Sequence, residues 1–128
     1  MNGMEPQLRR GIVLFESSKY PREYIEIPLL YAMGDPNEDY PNPVQDLVEG
    51  GILIYVKDKL DIGARLDIEI FPPEYFGLKS IKAVTQIVWT PLQGVNDGEE
   101  HEYGLKFIGM DSNNILRLNK LLNHLGQD

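Results

Sequence analysis

The 128-residue sequence predicts a mainly β fold, five or six short antiparallel strands closed as a small barrel or stacked as a sandwich, with one C-terminal amphipathic helix over an opening or face. Two observations carry this. Apolar or alternating runs of strand length, such as Ile52 to Val56 and Leu66 to Phe71, are separated by stretches rich in Gly, Pro, Asn and Asp. Near the end the period changes, and Ile115, Leu116, Leu118, Leu121, Leu122 and Leu125 recur at helical spacing.

Taken in order, Gly11 to Phe15 is a short apolar run, either a first strand or an ordered arm. Pro21 keeps the following Ser17 to Arg22 stretch from being helical. Ile25, Ile27, Leu29, Tyr31 and Met33 then recur at period two, and Pro28 within that run suggests an edge strand or a bulge. Gly34 to Pro43 is acidic and proline-rich, a surface loop. Ile52 to Val56 is a compact apolar strand, and Lys57 to Gly63 reads as a turn. Leu66 to Phe71 alternates apolar and acidic residues, so one face is buried and one is wet, and Pro72-Pro73 stops it. Ile81 to Thr90 and Tyr103 to Met110 are two further strands flanking a loop from Pro91 to Glu102. Asp111 or Ser112 can cap the helix and Gly126 sits at its end. Residues 1–15 are read as an arm or first strand, and 16–128 as one domain; no internal repeat is visible.

Composition narrows the chemistry. Twelve Lys and Arg against twenty Asp and Glu give a net charge of −8, which argues against a DNA or RNA binder and against docking on an anionic membrane. It leaves room for one small anion held by a few placed cations. With no cysteine and only His101 and His124, thiolate metal sites, cysteine nucleophiles and three-histidine centres are impossible, so an enzyme, a catalytic residue, a metal and a cofactor are not expected. The first residues lack the apolar core of a signal peptide and no run approaches a membrane span, so a cytoplasmic protein without membrane insertion is the expectation. Asp58 and Asp61 read as solvated turn residues, Trp89 as core or half-buried strand, and Arg9-Arg10 as an exposed pair.

Several segments stand in a recognisable order. They are Glu16-Ser17-Ser18-Lys19-Tyr20-Pro21-Arg22, Asp46-Leu47-Val48-Glu49-Gly50-Gly51, Leu60 to Ile70, Ile87-Val88-Trp89 and Tyr103-Gly104-Leu105-Lys106-Phe107. This succession resembles the PilZ domain family over nearly the whole chain, from about Glu16 to Leu125. The first segment is similar to the family's Glu-Arg-Arg-x-x-x-Arg and the second to its Asp/Asn-x-Ser-x-x-Gly. The other three are similar to its alternating strand, its Val-Val-Trp and its Gly-x-x-Phe.

The resemblance implies a six-stranded antiparallel barrel with a C-terminal helix, and a bacterial signalling protein that binds cyclic di-GMP. Arginine forks suit phosphate oxygens and the guanine O6/N7 edge, a carboxylate accepts from the guanine N1–H and N2–H groups, and a glycine lets backbone approach. Carried over residue by residue, Arg22, Asp46 and Gly51 match. The first arginine is Ser18, its neighbour is Ser17, and the motif serine is Val48. Losing a charge-assisted bidentate contact costs roughly 1.5–3 kcal/mol, and losing the hydroxyl about 1 kcal/mol more. Lys19, adjacent to the gap, or Arg9 or Arg10 folding back from the arm could restore charge, though lysine lacks the fork. On this reading, a dianion would order the arm across the barrel.

The expectation is therefore a cyclic di-GMP effector or adaptor with a weakened or altered site, acting on a partner protein. The alternative is an interaction module of motility, secretion or type IV pili that has lost the nucleotide. Either would be a monomer or a homodimer, the latter through the leucine-rich helix face.

Overall fold

The computed structural model describes residues 8–16, 24–35, 37–39, 52–91 and 100–126. Six strands are formed, β1 (Arg9–Glu16), β2 (Tyr24–Met33), β3 (Ile52–Val56), β4 (Arg65–Ile70), β5 (Ile81–Trp89) and β6 (His101–Gly109), followed by helix α1 (Ser112–Gly126). All pairings are antiparallel, and the sheet closes on itself in the order β1-β2-β4-β5-β6-β3. The mainly β barrel with a terminal helix is as the sequence leads one to expect; closure settles the choice against a sandwich.

Closure follows from the alternation. In β4 the even positions Leu66, Ile68 and Ile70 point inward and are buried, while Asp67 and Glu69 face out. Val13, Ile27, Leu29, Ile54, Ile81, Ile87 and Leu105 supply the same inward set from the other strands, each at most 1% exposed. Burying such a side chain stabilises the fold by about 1.5–3 kcal/mol. The segment from Gly11 to Phe15 belongs to β1, a full barrel strand paired on both sides with β2 and β3, and is not an arm.

Pro28 occupies neither an edge nor a bulge, because a closed barrel has no edge. It pairs with Ile12 on one side, and on the other its carbonyl accepts from Phe71 N at 3.0 Å, just past the end of β4. The missing N–H therefore falls where the neighbouring strand has already stopped.

The helix is capped by Asp111, whose Oδ1 accepts from the backbone N of Asn114 at 2.9 Å. Leu118, Leu121 and Leu125 are buried against the core with Met110. Leu116 does not share their face: it is 58% exposed, because two residues from Leu118 is about 200° around the helix. Asn114 Oδ1 accepts from Lys82 N at 2.8 Å and Arg117 Nη1 donates to Ser80 O at 3.1 Å, which ties α1 to the start of β5. His124 stacks on Phe76 with ring centroids 4.4 Å apart. Among the described residues, no helix is long and apolar enough to cross a membrane, and no cluster of three His, Asp or Glu could hold a metal ion.

Candidate functional site

Register places the two ends of the barrel. Glu16 pairs with Tyr24, and Leu14 with Leu53, so Glu16, Tyr24 and Ile52 mark one end. Glu16, which opens the first motif, and Ile52, which follows the second in sequence, are therefore at the same end. Ser18, Lys19, Arg22, Asp46 and Gly51 themselves lie outside the described residues.

Arg9 and Arg10 stand at the other end. Seven residue steps along β1 separate Arg9 from Glu16, about 23 Å at 3.3 Å per residue. Both arginines are held in a barrel strand, Arg9 opposite Tyr31 and Arg10 opposite Leu30. Their backbone is part of that strand and not of a free arm.

Arg9 is instead engaged at its own end. Its Nε lies 3.3 Å from Asp58 Oδ2. The same carboxylate accepts a hydrogen bond from the Tyr31 hydroxyl, which reaches up from the core. Tyr103, also inward-facing, accepts from Leu60 N at 2.6 Å through its hydroxyl. Two core tyrosines thus pin the turn after β3, and Asp58 is not a solvated turn residue. Burial, followed by the hydrogen bond and the charge of Asp58, pushes the Tyr31 hydroxyl well above the ordinary phenol range. A tyrosine on the inward period of a strand needs a partner for its hydroxyl, which is the one sequence signal that could have found Asp58.

Beside this end the outer wall of β1 and β2 is indented. The cavity, about 850 Å³, is lined by Arg9, Arg10 and Lys57, by Asp58 and Glu100, and by apolar side chains of both strands. The residue that fixes the chain leaving β2 is Arg65, read from sequence only as part of a strand-forming segment. Its guanidinium, 7% exposed, donates to the carbonyls of Asp35 and Glu38 at 2.9 and 2.7 Å and to Asp67 Oδ1 at 2.9 Å. The hydrogen bond to Asp67 raises its pKa further, so the charge is permanent. It anchors the first residues of the β2–β3 connection, the segment that later carries Asp46 to Gly51.

Two other motif segments meet on β5 and β6. A bulge between Ile87 and Trp89 turns Trp89 outward, where it pairs with Gly104 and is 48% exposed. A Cβ on Gly104 would stand 3.2 Å from Trp89 Cβ and 3.4 Å from Cε3. The glycine is the seat of the indole, and Trp89 is an exposed residue, not the core or half-buried one its strand position suggested, because the bulge turns it outward.

With this geometry in place, a comparison with protein families matches residues 16–124 to the PilZ domain. No curated protein and no solved structure matches the chain. The matched span takes in the last residue of β1 and all of β2 to β6, so one of the six staves of the barrel comes almost wholly from outside it.

Proposed function

Starting from the fact that the chain belongs to the PilZ domain family, we propose that it is a non-enzymatic signalling adaptor whose small-molecule ligand is cyclic di-GMP, held at an altered site. The family is one of binding and adaptor modules, and a nucleotide dianion is the kind of single small anion that a chain of charge −8 still leaves room for. Arg22 would clamp phosphate or guanine, Asp46 would accept from a guanine edge, and Gly51 would permit close approach. Ser18 and Lys19 would stand where the family has cationic forks. The observation that supports this reading is topological: Glu16, the first residue of one motif, and Ile52, the residue after the other, stand at the same end of the barrel.

One observation favours a second reading, an interaction module without the nucleotide. Arg9, a cation that could have compensated for Ser18, is paired with Asp58 at the far end of β1. A bacterial, cytoplasmic setting and a protein partner in motility, secretion or pilus assembly belong to either proposal.

Calorimetric titration with cyclic di-GMP at moderate salt separates them. Binding that falls at least tenfold in Arg22→Ala supports the first reading. Absence of heat at tens of micromolar protein supports the second, and binding indifferent to Arg22→Ala overturns the assignment of the site. The double change Ser18→Arg with Val48→Ser should tighten binding by about one to two decades if the family's contacts apply, since each restored charge-assisted contact is worth roughly 1.5–3 kcal/mol.

A further inference from the structure

The cavity on the β1–β2 wall has two properties that the nucleotide proposal does not use. The pairing of β1 with β3 ends at Gly11 and Val56, and Arg10 and Lys57 are the residues next to that pair, Lys57 just past the end of β3. Both are exposed, both line the cavity, and neither has an ion pair or hydrogen bond to its side chain among the described residues. Like charges side by side are unfavourable unless an anion lies between them. Arg9, the third cation, is already neutralised by Asp58.

The second property is the chemistry of the walls. Leu8, Ile12, Pro28, Leu30 and Phe71 supply the body of the cavity. Among the described residues no serine, threonine, asparagine or glutamine lines it, and the one neutral hydroxyl they supply, that of Tyr31, is spent on Asp58. The donors and acceptors on its described side chains are the charged groups at one end and the Tyr31 hydroxyl, and the rest of the wall offers area and no polar edge. A hydrocarbon needs only area. The volume, about 850 Å³, falls within the usual range for small-molecule sites.

We propose that this cavity binds an aliphatic carboxylate, a free fatty acid of medium chain length, with its head between Arg10 and Lys57 and its chain along Ile12, Pro28, Leu30 and Phe71. Neighbouring strands lie about 4.8 Å apart, so the two cations can each take one oxygen of a single carboxylate. Glu100, the residue before His101, which pairs with Val56, lines the same cavity and opposes the head group. The site lies at the opposite end of β1 from Glu16 and does not depend on the nucleotide reading.

The test is calorimetric titration of the full chain with octanoate and decanoate below their micelle concentrations, beside decyltrimethylammonium as the cationic counterpart. Decanoate should bind at submillimolar concentration and about fifteenfold more tightly than octanoate, since each of its two further buried methylenes is worth about fourfold. The double variant Arg10→Gln with Lys57→Gln changes only exposed side chains and should weaken decanoate at least tenfold, while Glu100→Gln should tighten it severalfold. The inference is overturned if decanoate gives no heat at millimolar concentration, if the ammonium amphiphile binds equally well, or if the double variant binds decanoate unchanged. Cosedimentation with anionic phospholipid vesicles without binding of free decanoate would also overturn it, and would mark the patch as a lipid-surface contact.

Discussion

The Tyr31 hydroxyl donates to Asp58, and that same carboxylate oxygen lies 3.3 Å from Arg9 Nε, so a core tyrosine, a turn acid and a strand arginine share one contact at the end of the barrel. Tyr31 is 2% exposed and Asp58 sits 27 positions further along the chain. The contact fixes the turn after β3 over the barrel opening and removes Arg9 from the pool of cations available to a ligand.

This contact makes stability fall at alkaline pH. Tyr31 has its folded pKa raised above that of the unfolded chain, first by burial and then by Asp58. Its contribution is fully present below the unfolded value of about 10 and is lost as pH rises beyond it toward the folded value. Urea midpoints measured between pH 8 and 11 should therefore drop above about pH 10. Tyr31→Phe should flatten that drop, and Asp58→Asn should shrink it without abolishing it, because burial is the larger cause. An unchanged drop in Tyr31→Phe would assign the alkaline limb to other groups.

Arg65 should be intolerant of replacement. Arg65→Met leaves the carbonyls of Asp35 and Glu38 without their donor and Asp67 without its partner. The expected loss is about 2–4 kcal/mol in chemical denaturation, since removing one partner of a buried charge-assisted set exposes the full desolvation cost. Arg65→Lys, a point charge without the fork, should recover less than half of it. If cyclic di-GMP binds, Arg65→Met should weaken it as well, by loosening the base of the connection that carries Asp46.

Gly104→Ala should disturb Trp89. The added methyl comes within 3.2 Å of Trp89 Cβ, tighter than ordinary contact, and the indole must lift from β6. A cost of about 1–3 kcal/mol is expected for this overpacking. Trp89 is the only tryptophan, so its fluorescence reports the change directly, with a red shift and stronger quenching by acrylamide. A spectrum identical to the parent would show that the ring does not rest on Gly104.

The helix cap gives an acid limb. Asp111 has its pKa lowered by the backbone N–H of Asn114 and then by that residue's side-chain amide. A depressed folded pKa contributes stability above the unfolded value, about 3.9, that is lost as pH falls through the folded one. Asp111→Asn should weaken this pH dependence below pH 4, read by helix content in circular dichroism. Asn114→Ala should cost about 1–3 kcal/mol at neutral pH, because it also unties Lys82 N from the helix.

Much of the fold is legible in the sequence because strands and helix differ in the period of their apolar residues. The alternation of Leu66 to Ile70 and the spacing of Leu118, Leu121 and Leu125 each read directly as a buried face. Leu116 reads wrongly when leucine content is counted in place of angle, and Pro28 misleads because the end of β4 cannot be seen from β2. Of the candidate site, the residue types were legible: Arg22, Asp46 and Gly51 present, Ser18 and Val48 substituted. Arg9 and Arg10 were not placeable, since a strand and an arm have the same composition over eight residues.

Strand and helix periods, the charge balance and the identity of the motif residues are local properties of the chain and can be read along it. Which distant side chains meet is a property of the folded barrel. Barrel closure brings Asp58 to Tyr31 and Arg9, Leu60 to Tyr103 across 43 positions, Trp89 onto Gly104, and Arg10 and Lys57 to one cavity. The physical reason is register: a shift of one residue between two strands would turn every one of these side chains to the other face, and local periodicity is the same in either register.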